Sequence, residues 1–199
     1  MDALASANTL IVSQKKEWGE ILTGFEARNR YVVLSEQGNE LYYAAEQGGS
    51  LLLRWFLKAW RPFTIVLARK DGSAVLRLER PFRFYFHKLA VQDARGKLLG
   101  MVEREFSLLR RLYRVSDAAG GEICRLYGPI LHPWTFEVRE NERETGKITK
   151  KWSGLLKEGF TDADNFAVAL PPGKSVEAKS VLLGAVFLID FVHFENTGR

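Results

Sequence analysis

The sequence predicts a mainly β protein: an antiparallel barrel, or a strongly curled sheet, wrapped around one buried helix near the C-terminus. Three observations carry that expectation. Strand-sized apolar segments alternate with turn signals from residue 31 to residue 152. A later run, residues 181–189, holds no polar side chain on any face, and Asp190 ends it. No βαβ alternation and no Gly-rich nucleotide loop interrupts the pattern. A long meander must close or pack against something to hide its edges and inner face. The C-terminal run is the available filler.

In chain order, residues 1–18 read as a lead-in segment and 19–199 as a single domain. Residues 31–34 and 41–45 flank Glu36-Gln37-Gly38-Asn39. Residues 63–68 and 74–78 flank Asp71-Gly72, a pair suited to positive φ in a tight hairpin. Residues 82–91 and 98–102 flank Asp93-Ala94-Arg95-Gly96; residues 112–115 and 122–127 flank 116–121. Residues 135–138 and 148–152 flank a charged turn at 140–146.

One insertion breaks this rhythm. In residues 51–61, Leu52, Trp55, Phe56, Ala59 and Trp60 recur at helical spacing, with Arg54, Lys58 and Arg61 on the other side. Aromatics opposite a basic face describe a helix lying among lipid headgroups; an amphipathic helix plugging one barrel end has the same pattern. In PFRFYFHKL, residues 81–89, Phe82, Phe84 and Phe86 share one strand face, while Arg83 and Lys88 mark a partly wet rim.

The C-terminal run, with Leu183, Val186, Phe187, Ile189 and Phe191, is apolar on all sides and must be buried in protein or in lipid. A bilayer span needs about 20 apolar residues, whereas runs of about 10–14 are more often core helices. This one falls in the shorter class. Glu177 and Lys179 before it, and Asp190 and His193 after it, would be costly in hydrocarbon. Its β-branched residues also permit a buried strand.

A formal charge of +5 and a pI near 9.3 favour anionic partners, whether lipid headgroups or nucleic acid. The single cysteine, Cys124, excludes an intrachain disulfide and a multi-cysteine zinc site. The first residues lack a basic region followed by a long apolar core, so no secretory signal is expected. The expected location is cytoplasmic, or peripheral on the cytosolic face of a membrane. His87, His132 and His193 are scattered, and no hydrolase elbow or Walker motif occurs. No catalytic constellation is therefore expected.

Residues 161–173, TDADNFAVALPPG, concentrate hard oxygen donors in Asp162, Asp164 and Asn165, as a calcium site requires. A calcium loop of the helix–loop–helix type wants a further oxygen ligand, a glycine and a closing acid where Phe166, Ala167 and Gly173 stand. Asp-Ala-Asp-Asn is equally a good turn, since its side chains can bond nearby backbone.

Several stretches are together distinctive: Leu22-Thr23-Gly24-Phe25-Glu26, Leu41-Tyr42-Tyr43-Ala44-Ala45-Glu46, Arg61-Pro62-Phe63-Thr64 and Leu78-Glu79-Arg80-Pro81. Tyr127-Gly128-Pro129, the run from Gly146 to Gly154, Phe160-Thr161-Asp162-Ala163-Asp164-Asn165-Phe166, and the run from Leu183 to Phe191 complete the series. With these the chain resembles the phospholipid scramblase family, within the Tubby C-terminal-like superfamily. The resemblance implies a closed barrel of about twelve antiparallel strands around the hydrophobic C-terminal helix. It also implies calcium-dependent, energy-independent movement of phospholipid between leaflets. The family's calcium segment maps onto residues 162–173, but its acidic last position is Gly173 here, so calcium would rest on Asp162, Asp164 and Asn165 alone. The acylated cysteine-rich stretch of animal members has no counterpart. Basic and aromatic residues stand in that region instead, and a basic residue near an anionic surface contributes on the order of 1 kcal/mol.

The expected partner is an anionic phospholipid membrane, touched by Arg54, Trp55, Lys58, Trp60, Arg61, Arg83 and Lys88. A soluble Tubby-like barrel that binds lipid or a protein partner and scrambles nothing is the alternative. Nucleic acid, through Lys147, Lys150 and Lys151 around Trp152, is the least supported partner.

Overall fold

A computed structural model describes residues 2–14, 30–47, 62–82, 87–150 and 165–194. Twelve antiparallel strands close into a barrel: β1 (Thr9–Gln14), β2 (Arg30–Ser35), β3 (Glu40–Gln47), β4 (Phe63–Ala68), β5 (Ala74–Arg80) and β6 (Lys88–Asp93), then β7 (Leu98–Glu105), β8 (Arg111–Asp117), β9 (Glu122–Gly128), β10 (Thr135–Glu140), β11 (Arg143–Lys150) and β12 (Asn165–Ala169). Each strand pairs with its sequence neighbours, and β1 pairs with β12 to shut the ring, Leu10 facing Val168. A short helix, α1 (Asp2–Ser6), precedes β1, and α2 (Val176–Ile189) runs up the barrel axis into a π-helical turn, Asp190–Phe194.

The fold class is the one the sequence predicts, with corrections at the seam. Residues 9–14, expected as lead-in, are β1. Residues 165–169, inside the stretch 161–173 expected as an oxygen-rich loop, are β12, bonded to both β1 and β11. Of the strand expected from residue 82, β6 supplies the part from Lys88 onward, and residues 83–86 lie outside the described residues. Phe82 is exposed on the connection before it.

Period-2 alternation builds the inside of the wall. Leu76 and Leu78 of β5, Tyr113 and Val115 of β8, and Phe136 and Val138 of β10 join the core around α2. Their neighbours Arg77, Glu79, Arg114, Arg125, Glu137 and Arg139 form ion pairs on the outside, among them Arg77–Glu79 and Arg139–Glu137 at 2.6 Å. Arginine or lysine facing lipid at mid-bilayer would cost about 2–4 kcal/mol each, so this arc of wall faces water. From β12 through β4 the outward positions Ile11, Val32, Leu34, Tyr43, Val66 and Ala167 are buried as well.

Ser175 starts α2 by accepting a hydrogen bond from the Ala178 amide at 3.2 Å, and Glu177 complements the helix dipole in the first turn. The helix is apolar all round because wall surrounds it. Two of its charges that would be costly in lipid, Lys179 and Asp190, find protein partners. Lys179 donates to the carbonyls of Ala5 and Ala7, both at 2.7 Å. Fourteen residues rise about 21 Å against a hydrocarbon core of about 30 Å. Among the described residues no helix is long and apolar enough to cross a membrane.

Helix and wall meet closely at Gly184, where a Cβ would lie 2.6 Å from Val91 Cγ2. Alanine there would gain about 1 kcal/mol of helix propensity, but overpacking a tight core costs about 1–3 kcal/mol. Gly184→Ala is expected to lower the melting temperature by a few degrees, read by circular dichroism; a rise would show that Val91 can move aside.

Candidate functional site

In a meander, successive hairpin turns point alternately to opposite ends. The tight turns at Gly38, Gly72, Gly96 and Gly120, each with positive φ, close one end. Strands β1, β3, β5, β7, β9 and β11 run to the other end, which carries the connections 106–110 and 129–134, with Pro81, Phe82 and His87 beside them. The C-terminus of α2 points to this second end, where the mouth is filled.

Period 2 also turns the last residues of β5 and β11, Arg80 and Lys150, inward, and both are buried. Asp190, the first residue of the π-helical turn, accepts a hydrogen bond from the Tyr31 hydroxyl at 2.8 Å and lies 3.7 Å from Lys150 Nζ. The Lys150 ammonium also sits 4.4 Å from the Phe194 ring centre, a cation–π contact. Phe191 stacks on Phe63 at 4.2 Å, and Trp134 on Phe194 at 5.3 Å. The apolar filling and its polar seal thus come from one short turn.

Two histidines share this mouth. Burial, reinforced by Arg80 and Arg104, pushes the His87 pKa down to about 4. Burial, with Arg111, Arg104 and His87 adding to it, takes His193 to about 3. Both rings are neutral at pH 7 because charging them would strand a cation among cations out of water. Arg80 can only donate, so Nδ1 of His87 accepts from it. His193 Nε2 lies 2.7 Å from the buried Tyr113 hydroxyl, whose pKa burial raises well above the ordinary value. Neutral, packed and locked, these groups seal the mouth.

Arg111 organises the neighbouring rim. Its guanidinium donates to the carbonyls of Pro133, Pro129 and His132 at 2.6, 3.1 and 3.2 Å and stacks over Phe136. This fixes the corner that Pro129-Ile130-Leu131-His132-Pro133 makes. On that corner and the two preceding connections at this end stand Phe82, Phe106, Leu108, Leu109, Ile130, Leu131 and Trp134. They are all the large apolar side chains exposed among the described residues.

The sequence-predicted residues distribute as follows. Leu183, Val186, Phe187, Ile189 and Phe191 are buried inside the barrel. Lys88 lies on the rim, 2.6 Å from Glu103. Arg54, Trp55, Lys58, Trp60, Arg61 and Arg83 lie outside the described residues, as do Asp162 and Asp164. Asn165 opens β12 beside Ser13 of β1. Because 165–169 is an extended strand rising about 3.3 Å per residue, Asn165 and Gly173 lie toward opposite ends of it. Among the described residues no three His, Cys, Asp or Glu side chains cluster as metal ligands; Asp162 and Asp164 lie outside that set. In the basic stretch considered for nucleic acid, Lys150 is buried and Lys147 pairs with Glu144 at 2.9 Å, while Lys151 and Trp152 lie outside the described residues. Sequence reasoning missed the apolar tips of the rim. Their signal was large apolar residues in the short connections 106–109 and, between two prolines, 130–131.

Residues 1–196 match the protein family described as Scramblase. The chain is 34% identical to mouse phospholipid scramblase 1, covering 100% of this chain and 65% of the relative. It is 31% identical to human phospholipid scramblase 1, covering 100% and 66%. It is 32% identical to bovine phospholipid scramblase 2, covering 99% and 72%. The chain thus spans about two thirds of the length of the curated relatives it matches. A solved structure of a protein from Arabidopsis thaliana superposes with a TM-score of 0.51 at 14% identity, over 95% of this chain and 93% of that one. That likeness concerns the fold alone.

Proposed function

The chain belongs to the scramblase family, and from that premise we propose that it binds anionic phospholipid at a bilayer surface, on the cytosolic side, and speeds energy-independent exchange of lipid between leaflets. The observation that carries this reading is the family match across residues 1–196. The electropositive surroundings of His87 and His193, set by Arg80, Arg104 and Arg111, support an end of the barrel that attracts anionic headgroups. The connection holding Arg54, Trp55, Lys58, Trp60 and Arg61 runs between Gln47 and Phe63, and that holding Arg83 between Arg80 and Lys88. Their flanking strands end on this same rim, which suits the contacts proposed for them.

A second reading, a lipid- or protein-binding barrel that moves no lipid, is favoured by one observation. Helix α2 is enclosed by wall and offers no lipid a path beside it. Vesicles carrying fluorescent lipid separate the two. With protein reconstituted, dithionite is expected to quench well beyond the outer leaflet's half without leakage. Quenching that stops at half would leave the second reading. Chelator tests the proposed calcium role of Asp162, Asp164 and Asn165: activity that persists without calcium removes it.

A further inference from the structure

We infer that the barrel docks end-on, with the tips of its β7–β8 and β9–β10 connections inserted into the lipid leaflet. This rests on the reading of the protein as phospholipid-binding and assigns the surface that does it. The two connections are adjacent around the ring, since β7 to β10 are consecutive neighbours, and Phe82 is exposed just past the end of β5, next along the ring. Phe106 is 77% exposed, Leu108 86% and Leu131 88%, values reached only by side chains that protrude. Monomeric proteins seldom gather apolar exposure into one patch, and a patch rimmed by polar groups marks a partner. At the opposite end, the turns carry Lys70, Asp71, Asp93, Arg95 and Asp117, and no large apolar side chain among the described residues is exposed there.

Two features favour a lipid leaflet over a protein. The apolar residues crown separate convex loops, whereas pockets that take small ligands or peptides are concave. Flanking the 106–109 tip in the chain stand Arg104, Arg110 and Arg111, with Glu105 among them and Lys88 paired to Glu103. Apolar residues below a basic collar match the acyl and headgroup layers of an anionic leaflet. The Arg111 clamp on Pro129, His132 and Pro133 also holds the β9–β10 tip in its protruding shape before docking.

Cys124 is buried, so an environment-sensitive fluorophore can be attached at Leu108→Cys or Leu131→Cys, with Asp71→Cys as the far-end control. On phosphatidylcholine–phosphatidylserine vesicles, the first two labels are expected to shift to the blue and to be quenched by brominated acyl chains, and the third to stay in water. Leu108→Asp with Leu131→Asp should weaken vesicle binding by about a hundredfold or more, at roughly tenfold or more per side chain, with unchanged melting because both sites are exposed. Vesicle binding with rim labels still in water would overturn the docking mode while leaving the lipid-binding reading intact. Failure of the native protein to bind vesicles of any composition would remove both and leave the rim to a protein partner. Quenched rim labels on vesicles that show no lipid exchange would uphold the docking mode and reject only the transport.

Discussion

Phe187→Ala is expected to destabilise the protein by about 3–5 kcal/mol, the range for deleting a buried aromatic side chain. Phe187 lies inside the barrel and meets the Tyr31 ring edge-on at 5.2 Å, so its loss opens a cavity between helix and wall. For a chain of this size each kcal/mol moves the melting temperature by about 2–4 °C, which puts the expected fall at roughly 6–20 °C. Arg77→Ala, which breaks an exposed ion pair with Glu79, should change stability by less than about 1 kcal/mol. The comparison tests where the helix lives. A membrane anchor would lose vesicle partitioning on Phe187→Ala and keep its melting temperature in solution. A core helix does the reverse. Urea titration of the two variants beside vesicle sedimentation distinguishes them.

Mild acid is expected to weaken the fold through the two histidines at the mouth. Their folded pKa values, about 4 for His87 and about 3 for His193, lie below the ordinary 6.5. The unfolded chain therefore binds more protons than the folded one between those limits. Stability is complete above about pH 6.5 and declines as pH falls, by up to about 1.4 kcal/mol per unit for each ring. At pH 5 that sums to about 4 kcal/mol, a large part of the usual 5–15 kcal/mol. Urea midpoints at pH 7.5 and pH 5 measure it. His87→Gln and His193→Gln should each remove about half of the pH-dependent loss; a slope unchanged in both variants would place the acid sensitivity elsewhere. Because Tyr113 and Arg80 hold these rings, acid would loosen the mouth first.

The fold class was legible because its two signals are local. Turn residues punctuate the meander, and residues 181–189 are apolar whichever face is considered, a pattern that only enclosure satisfies. The seam was less legible. TLIVSQ of β1 and NFAVA of β12 are short, and their burial on both faces leaves little of the alternation that identifies a strand. In β12 an oxygen-rich approach further disguised the strand as a loop. Yet these two strands close the ring.

The site divides in the same way. The amino acids by themselves determined a barrel with an apolar core helix, a net basic charge and membership of the scramblase family, since composition, periodicity and motif order are properties of the chain alone. Only the tertiary structure decided which loops share an end, and so brought Phe82, Leu108 and Leu131 to one rim. It also decided that Lys150, Asp190 and Lys179 are interior charges with partners. The physical reason is closure. An antiparallel barrel sends alternate turns to opposite ends and turns alternate residues inward, so neighbourhood at the rim and burial at the mouth depend on strand register across the whole ring.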